Sequence, residues 1–461
     1  GVADYTVVQA EEGKPNGTFL IEKPSANPAY KANVEMFSKS FDGNRNKAYA
    51  TWQYFGSPVK DADRNQLPTE TTWVRKYDRA LNVPNSDEKW VDVTTGVLAQ
   101  GQAYEITQPK PATYRFVGEL NTTDFTFPVN GMTSATNYRD MNILANPYTG
   151  TMDIEKLAFT GAAEKVVYLF NTGSRKDWIA NSGATANGTT EGQYTKAIPA
   201  NLAGHVAGMP KEIPSLSSFM VKSTGAGTLH YRYADLITAT EENRAPERRF
   251  HSLAVDVESA KSADRVWLVQ AEGTTDRFDN GWDGEKIFAP GETALYAMQD
   301  RSYQVTTTET IGETKLGFVP VEGEQNYKLT FHIDGADGAQ QYTLLDKRTG
   351  LTRAINDGDT YEFTATKGDA AHRFTILGSG AKLSDDQRGF QISADLRRNF
   401  TVKNFTDEAA EALVFDAAGK IQARFKVEAG SENTGTVVMP GAYVVRVSNK
   451  VTTLTQRFVM P

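Results

Sequence analysis

Cysteine is absent from the 461-residue sequence, and this absence excludes several kinds of site. Without thiols the chain forms no disulfide, no zinc–thiolate site, no thiol nucleophile and no ordinary iron–sulfur cluster. A chain of this length without cysteine is unusual for a cytosolic enzyme and typical of exported bacterial proteins, which gain nothing from an oxidisable thiol. The composition therefore favours an exported protein.

Long apolar runs are also missing. The longest ones, such as residues 166–170, have the length of a strand, whereas a membrane-spanning helix needs about 18 apolar residues. The first residues, GVADYTVVQAEEG, contain neither the basic nor the apolar region of a signal peptide. The sequence predicts no transmembrane segment, and we expect that any export signal has been removed.

Basic clusters and catalytic motifs are scarce. The net charge is −8, from 49 basic and 57 acidic residues, and a nucleic-acid partner would require clustered lysine and arginine. The five histidines are scattered without metal-ligand spacing, and neither a nucleophile-elbow nor a phosphate-loop motif occurs. The sequence thus predicts neither a nucleic-acid partner nor an enzyme. A hydrolase with two unrecognised facing carboxylates stays open as a third function.

Aromatic residues, threonine, valine and glycine are abundant, which is typical of β-structure with many turns. Tyr327, Leu329, Phe331 and Ile333 alternate with polar residues, as expected for a strand with one buried face. Such short strands recur with Asp-Gly and similar turns between them, and helical periodicity is hard to find. We predict an all-β, multi-domain chain of antiparallel β-sandwiches.

Two polar segments, residues 238–248 and 378–388, indicate linkers. They divide the chain into a large jelly-roll-like part at 1–240, a middle β-sandwich at 245–378 and a small Ig-like domain at 388–461. The first part is long for one sandwich, so a division into two units near residue 110 stays open.

The last 65 or so residues carry a resemblance. The segments ALVFDAAGKIQARFKV (412–427) and MPGAYVVRVSN (439–449) and the final strand ending in RFVMP occur in order. This pattern resembles the C-terminal sorting domain of type IX secretion, a small Ig-like sandwich that directs proteins of Gram-negative bacteria across the outer membrane. Residues 389–400 depart from the usual Pro-Asn-Pro-like opening, so a general Ig-like end module is the alternative.

The remaining parts are similar to the β-rich passenger modules of the same surface proteins. The motifs that carry this similarity are DRFDNGWDGEK (276–286), KLGF (315–318), WQYFGSP (52–58) and NILANPY (142–148). The resemblance implies a secreted protein, or one at the outer-membrane cell surface, that contacts the export machinery through its C-terminal domain.

Two sets of residues are candidates for ligand binding. Oxygen-bearing side chains lie close together in an acidic loop, where they can surround a calcium ion or can merely cap turns: Asp276, Asp279, Asn280, Asp283 and Glu285. Four tryptophans of the first part can offer flat apolar faces to a sugar or can pack in the core: Trp52, Trp73, Trp90 and Trp178.

We therefore expect an adhesin-like or structural surface protein whose partner is a surface glycan or a protein of a host or neighbouring cell. The alternative is a carbohydrate-binding surface protein that uses the aromatics of the first part. No cofactor other than calcium is expected.

Overall fold

The structure, a computed structural model, describes most of the chain. The described residues are 6–11, 16–26, 29–40, 52–81, 83, 89–131, 140–171, 193–238, 250–260, 262–288, 292–321, 323, 326–335, 340–348, 351–378, 389–395, 397–450 and 453–460; at 170–171 and 193–196 the description covers the backbone. Within them every regular element is a strand or a single 3₁₀ turn. The prediction of an all-β chain is confirmed.

Seventeen strands, counted in the described part, build the first region. A three-stranded sheet contains β1 (Thr6–Val8), β2 (Lys31–Ser38) and β9 (Ala112–Glu119). A four-stranded sheet has the order β3 (Gln53–Phe55), β8 (Tyr104–Thr107), β5 (Trp73–Tyr77) and β6 (Trp90–Asp92). Two small ribbons pair β4 (Ala62–Asp63) with β7 (Val97–Leu98) and β12 (Met152–Asp153) with β16 (Glu212–Ile213).

The long strand β17 (Ser218–Tyr231) organises the remaining sheet of this region. It pairs with β10 (Phe125–Val129), β11 (Met141–Ala145), β13 (Ala158–Ala163) and β14 (Val166–Asn171). Strand β15 (Gln193–Pro199) pairs with β14. The 3₁₀ turns are Pro24–Ala26, Arg64–Gln66, Ile154–Lys156 and Tyr233–Asp235.

An eleven-stranded sheet forms the middle region, and all but one of its pairs are antiparallel. Its strands are β18 (His251–Glu258), β19 (Ala263–Gln270), β20 (Gly284–Glu285), β21 (Ala294–Met298), β22 (Ser302–Thr308), β23 (Thr314–Val319), β24 (Asn326–Asp334), β25 (Tyr342–Asp346), β26 (Leu351–Ile355), β27 (Thr360–Thr364) and β28 (His372–Leu377).

The predicted alternation in β24 is confirmed at Tyr327, Leu329 and Phe331, which are buried between half-exposed or exposed neighbours. Ile333, the fourth residue of the predicted face, is only half-buried. The large sheet curls over one core. Strand β27 lies at one end of the strand order and β28 lies third from the other, yet the rings of Phe363 and Phe374 are 4.9 Å apart. This curling turns a single sheet into a sandwich with an aromatic centre.

The C-terminal region has a core of its own, to which, among the described residues, only those from 390 onward contribute. One sheet holds β29 (Phe390–Ala394), β30 (Asn399–Asn404) and β33 (Glu432–Thr436); the other has the order β32 (Ile421–Val427), β31 (Ala410–Asp416), β34 (Gly441–Ser448) and β35 (Thr453–Met460). Phe400 of the first sheet contacts Tyr443 and Phe458 of the second at 5.8 and 5.4 Å. The two sheets therefore pack face to face.

The hairpin between β31 and β32 turns at the DAAGK residues of the segment 412–427. One carboxylate oxygen of Asp416 accepts the backbone N–H groups of Ala418 and Lys420, each at 2.9 Å. These bonds favour the ionised carboxylate and, led by the bond from Lys420, lower its pKa. Gly419 has a φ of +79°, which glycine adopts without strain.

The apolar residues that follow β33 predict a strand around Thr436–Val438, but the structure has no strand there beyond Thr436. The strand β33 ends at Thr436, and the side chain of Val438 is 83% exposed. The residues of β33 are polar and mostly exposed. The strand therefore lacks the alternation of apolar and polar residues that would mark it in the sequence.

The hydrophobic core of the first region extends across residue 245. Trp267, Val269 and Val305, from the middle region, belong to the same buried cluster as Tyr168 and Val206. The first and middle regions therefore share packed surface, and residues 239–249 and 379–388, where we placed most of both linkers, lie outside the described residues. The boundaries of the three predicted domains stay predictions.

Candidate functional site

The acidic loop lies between β19 and β20, where the middle region meets the first. Asp279 accepts the backbone N–H and the hydroxyl of Thr275 at 2.6 and 3.0 Å, and its own N–H donates to Asp283 at 2.7 Å. The other carboxylate oxygen of Asp283 accepts the N–H of Thr307, on β22, at 2.7 Å. These two carboxylates thus hold the loop closed against the sheet.

Asp283 is fully buried, and the structure surrounds it with backbone N–H groups and acidic neighbours. Burial raises the pKa of Asp283 to about 7, although the N–H groups of Asp279 and Thr307 favour its charged form. The negative charges of Asp279 and Asp300 act in the same direction as burial.

Glu285 joins the two regions through ion pairs. Its carboxylate pairs with Lys222 of β17 and, at 2.5 Å, with Arg301 next to β22. Burial alone would raise its pKa, but the hydrogen bonds and charges of Lys222 and Arg301 outweigh this and lower the pKa. Glu164 lies 3.8 Å from Arg301, and burial raises the pKa of this second carboxylate.

The other two members of the acidic loop lie apart from this network. Asn280 uses its side-chain oxygen to accept the N–H of Lys165 at 2.7 Å, and Asp276 is exposed. Among the described residues, no group of three or more acidic or histidine side chains converges as metal ligands do. Calcium binding by this loop stays a prediction.

The tryptophans have different surroundings. Trp90 is 8% exposed and contacts Tyr54 and Tyr77, with ring centroids 4.9 and 5.4 Å away, so it lies in the hydrophobic core. Trp52 and Trp73 keep some exposed surface.

The guanidinium carbon of Arg75 lies 4.1 Å from the ring centroid of Trp52, within the range of a cation–π contact. Trp178 lies outside the described residues. A glycan platform stays a prediction, and the two half-exposed rings are its described candidates.

A cleft that was not predicted opens between the end of β5 and the strand β10, with a volume of about 380 Å³. Arg79 lies in it and donates through Nη1 to the backbone oxygen of Pro128 at 2.7 Å and to the side-chain oxygen of Asn142 at 2.9 Å. Asn142 is 1% exposed, and its amide group also donates to the backbone oxygens of Asn130 and Asp140. A buried amide therefore fixes the guanidinium in place.

One wall of the cleft is the half-buried ring of Phe125, which lies 4.7 Å from the ring of Phe127. A Cβ atom at Gly101 would come within 2.5 Å of the Phe125 ring, so only glycine lets the ring lie against this part of the backbone. The φ of Gly101, +74°, also favours glycine. The residues of this cleft come from four separate segments, 76–80, 99–102, 125–128 and 142–144. The last of them begins the NILANPY motif, but no motif in the sequence joins the four segments.

No helix in the described part of the chain is long and apolar enough to cross a lipid bilayer. Comparison with known proteins adds a relative. The chain is 31% identical over 98% of its length to the minor fimbrium subunit Mfa5 of Porphyromonas gingivalis, and it spans 38% of the length of that protein.

A solved structure, the BSP domain of a biofilm associated protein, aligns with 98% of this chain, and the alignment covers 99% of the length of that domain. Its sequence identity is 8% and its TM-score is 0.14, a level that carries no argument. The sequence profile of one family, described as a domain of unknown function (DUF8693), matches residues 6–377. This match crosses the predicted boundary near residue 240 and covers most of the sequence, and the chain belongs to this family.

Proposed function

We propose that this chain is a structural or adhesive component of a bacterial cell surface, and that it acts by binding rather than by catalysis. The observation that carries the proposal is its similarity, over 98% of its length, to a protein named as a minor fimbrium subunit. The all-β architecture supports it, because sandwiches of this kind bury stable cores while leaving loops and edges for contacts. Because the chain spans 38% of that relative, the proposal concerns the part that the two share.

Treatment of intact cells with a protease tests the surface location. Cells that produce the chain should lose it from immunoblots after the treatment, while a periplasmic marker protein stays intact. A chain that survives until the outer membrane is opened would contradict the proposal.

We further propose that residues 388–461 direct export through type IX secretion. The order of the C-terminal strands, the Asp416 hairpin and a separate core support this proposal. Truncation after Asn449 removes β35, the edge strand that pairs with β34.

In a bacterium with this secretion system, the truncated chain should accumulate in the periplasm, whereas an Arg424→Gln control should reach the surface. If the truncated chain is displayed at the surface as before, the C-terminal domain is an ordinary Ig-like module and the proposed role in export is wrong.

A further inference from the structure

We propose that the cleft between β5 and β10 binds a sugar that carries a carboxylate, such as a sialic or uronic acid residue at the end of a surface glycan. The inference gives the proposed adhesive role a ligand class, and so it rests on the proposed function. It uses none of the four tryptophans named from the sequence.

The guanidinium of Arg79 is the anchor of the site. Of its five N–H donors, the contacts within the described structure use only those on Nη1. The bonds to Pro128 and to buried Asn142 hold the side chain in one position, so little conformational entropy is lost when a ligand binds. A fixed guanidinium with unused donors matches the two oxygens of a carboxylate.

The charges around the cleft favour an anion. Lys76 lines the cleft, is exposed and has no acidic partner within the described part of the chain. Asp78 is the acidic residue of the lining; one of its oxygens accepts the N–H of Ala80, and its charge interacts with the buried ammonium of Lys89. Two lining cations therefore face one carboxylate that is already engaged by another cation.

The shape and the aromatic wall favour a sugar. The volume of about 380 Å³ lies near the lower end of the range for small-molecule sites, ~300–1,000 Å³. The half-buried ring of Phe125 offers an apolar face beside the polar groups of Arg79 and Lys76. A pyranose ring has an apolar face and a polar rim, and it fits such a surface when its carboxylate meets the guanidinium.

The neighbouring edge of β10 is poorly suited to an extended peptide, which would bind by adding a strand. The other edge pairs with β17. On the outer edge, Pro128 has no N–H and its oxygen already accepts from Arg79, while the N–H of Asn130 donates to Asn142 at 3.1 Å. Alternate residues of a strand direct their backbone N–H and C=O groups toward the same edge. Of β10, only Thr126 would therefore be left to form backbone hydrogen bonds with a peptide.

Calorimetric titration of the purified full chain tests the proposal with matched ligands. The acidic probes are 3′-sialyllactose and digalacturonic acid, and the neutral ones are lactose and the methyl ester of digalacturonic acid. At least one acidic probe should bind about tenfold or more tightly than its neutral counterpart, as expected for a charge-assisted hydrogen bond. The pair that responds identifies the source of the carboxylate.

Three variants locate the site. Arg79→Gln should weaken binding about tenfold or more, and Lys76→Gln, at an exposed position, should weaken it less and reduce its salt dependence. Arg424→Gln, the same change at an exposed position of the C-terminal domain, should bind like the parent chain. Since Arg79 also contacts Pro128, circular dichroism and the melting temperature must show that the Arg79→Gln variant is folded. If that variant is unfolded, the Lys76→Gln variant still tests the site.

Equal affinity for acidic and neutral sugars would overturn the proposal, and so would absence of binding by both acidic sugars at about 10 mM. An acidic peptide such as triglutamate serves as a further probe. If it binds more tightly than the sugars and its binding also depends on Arg79, the ligand is an acidic peptide rather than a sugar, and the proposal is overturned. None of these results changes where the chain is found on intact cells, so the failure of this inference and the failure of the surface role are distinguishable.

Discussion

Trp267 links the first and middle regions, and its replacement by alanine should destabilise both. The side chain is 1% exposed, lies on β19 and packs in the cluster that contains Tyr168 and Val206 of the first region. Replacement of a buried tryptophan by alanine costs about 3–5 kcal/mol, a large share of the ~5–15 kcal/mol that stabilise a folded domain. Its indole N–H donates to the oxygen of Ala207 at 3.3 Å, a long bond that adds little.

Hydrogen exchange read by mass spectrometry reports the effect region by region. If the shared core makes the two regions one cooperative unit, protection in Trp267→Ala should fall about 100- to 4,000-fold both in β17 and in β24. Phe400→Ala is the matched control, because Phe400 is buried in a core whose described members all lie from residue 390 onward. It should lower protection in residues 390–460 alone. Loss of protection in β24 with unchanged exchange in β17 would refute the coupling.

Three further changes test individual sites. Millimolar calcium should raise the melting temperature by mass action if the acidic loop binds it, and Asp279→Ala should abolish the rise; identical melting with and without calcium would leave the loop as a turn. The pKa of Asp283 is raised from 3.8 to about 7, so between these pH values the folded chain holds a proton that the unfolded chain releases. The contribution of this proton to the free energy of unfolding is complete below about pH 4 and is lost as the pH rises through 7. Denaturant melts should therefore show a smaller fall in the unfolding free energy of Asp283→Asn than of the parent between about pH 5 and pH 8, and parallel pH profiles would contradict this. Phe458→Ala should cost about 1–3 kcal/mol in the C-terminal domain, less than a fully buried ring, because Phe458 is half-buried, and an unchanged melting midpoint of this domain would show that the ring contributes nothing.

Local patterns in the sequence predict much of the strand structure. The alternation in β24 and the Asp416 turn specify their own conformation, since a buried face and a capped turn each depend on residues close in the sequence. The edge strand β33 escapes such a pattern because it buries little.

Contacts between distant segments could not be predicted in the same way. Trp90 alternates like any strand residue, and only its contacts with Tyr54 and Tyr77 show that its ring lies in the core. The cleft depends on the contact of Arg79 with Asn142 of β11, on Phe125 of β10 lining the same space, and on a glycine at residue 101 that leaves room for the ring.

The proposed surface role is tested most directly by mechanical shearing of intact cells that produce the chain. Sheared material is collected by centrifugation, separated from the cell bodies and from the free culture medium, and probed with an antibody against the chain. The chain should sediment with the sheared surface material and be depleted from the cells. A chain that stays in the periplasmic or cytosolic fraction after shearing would contradict the proposed surface role.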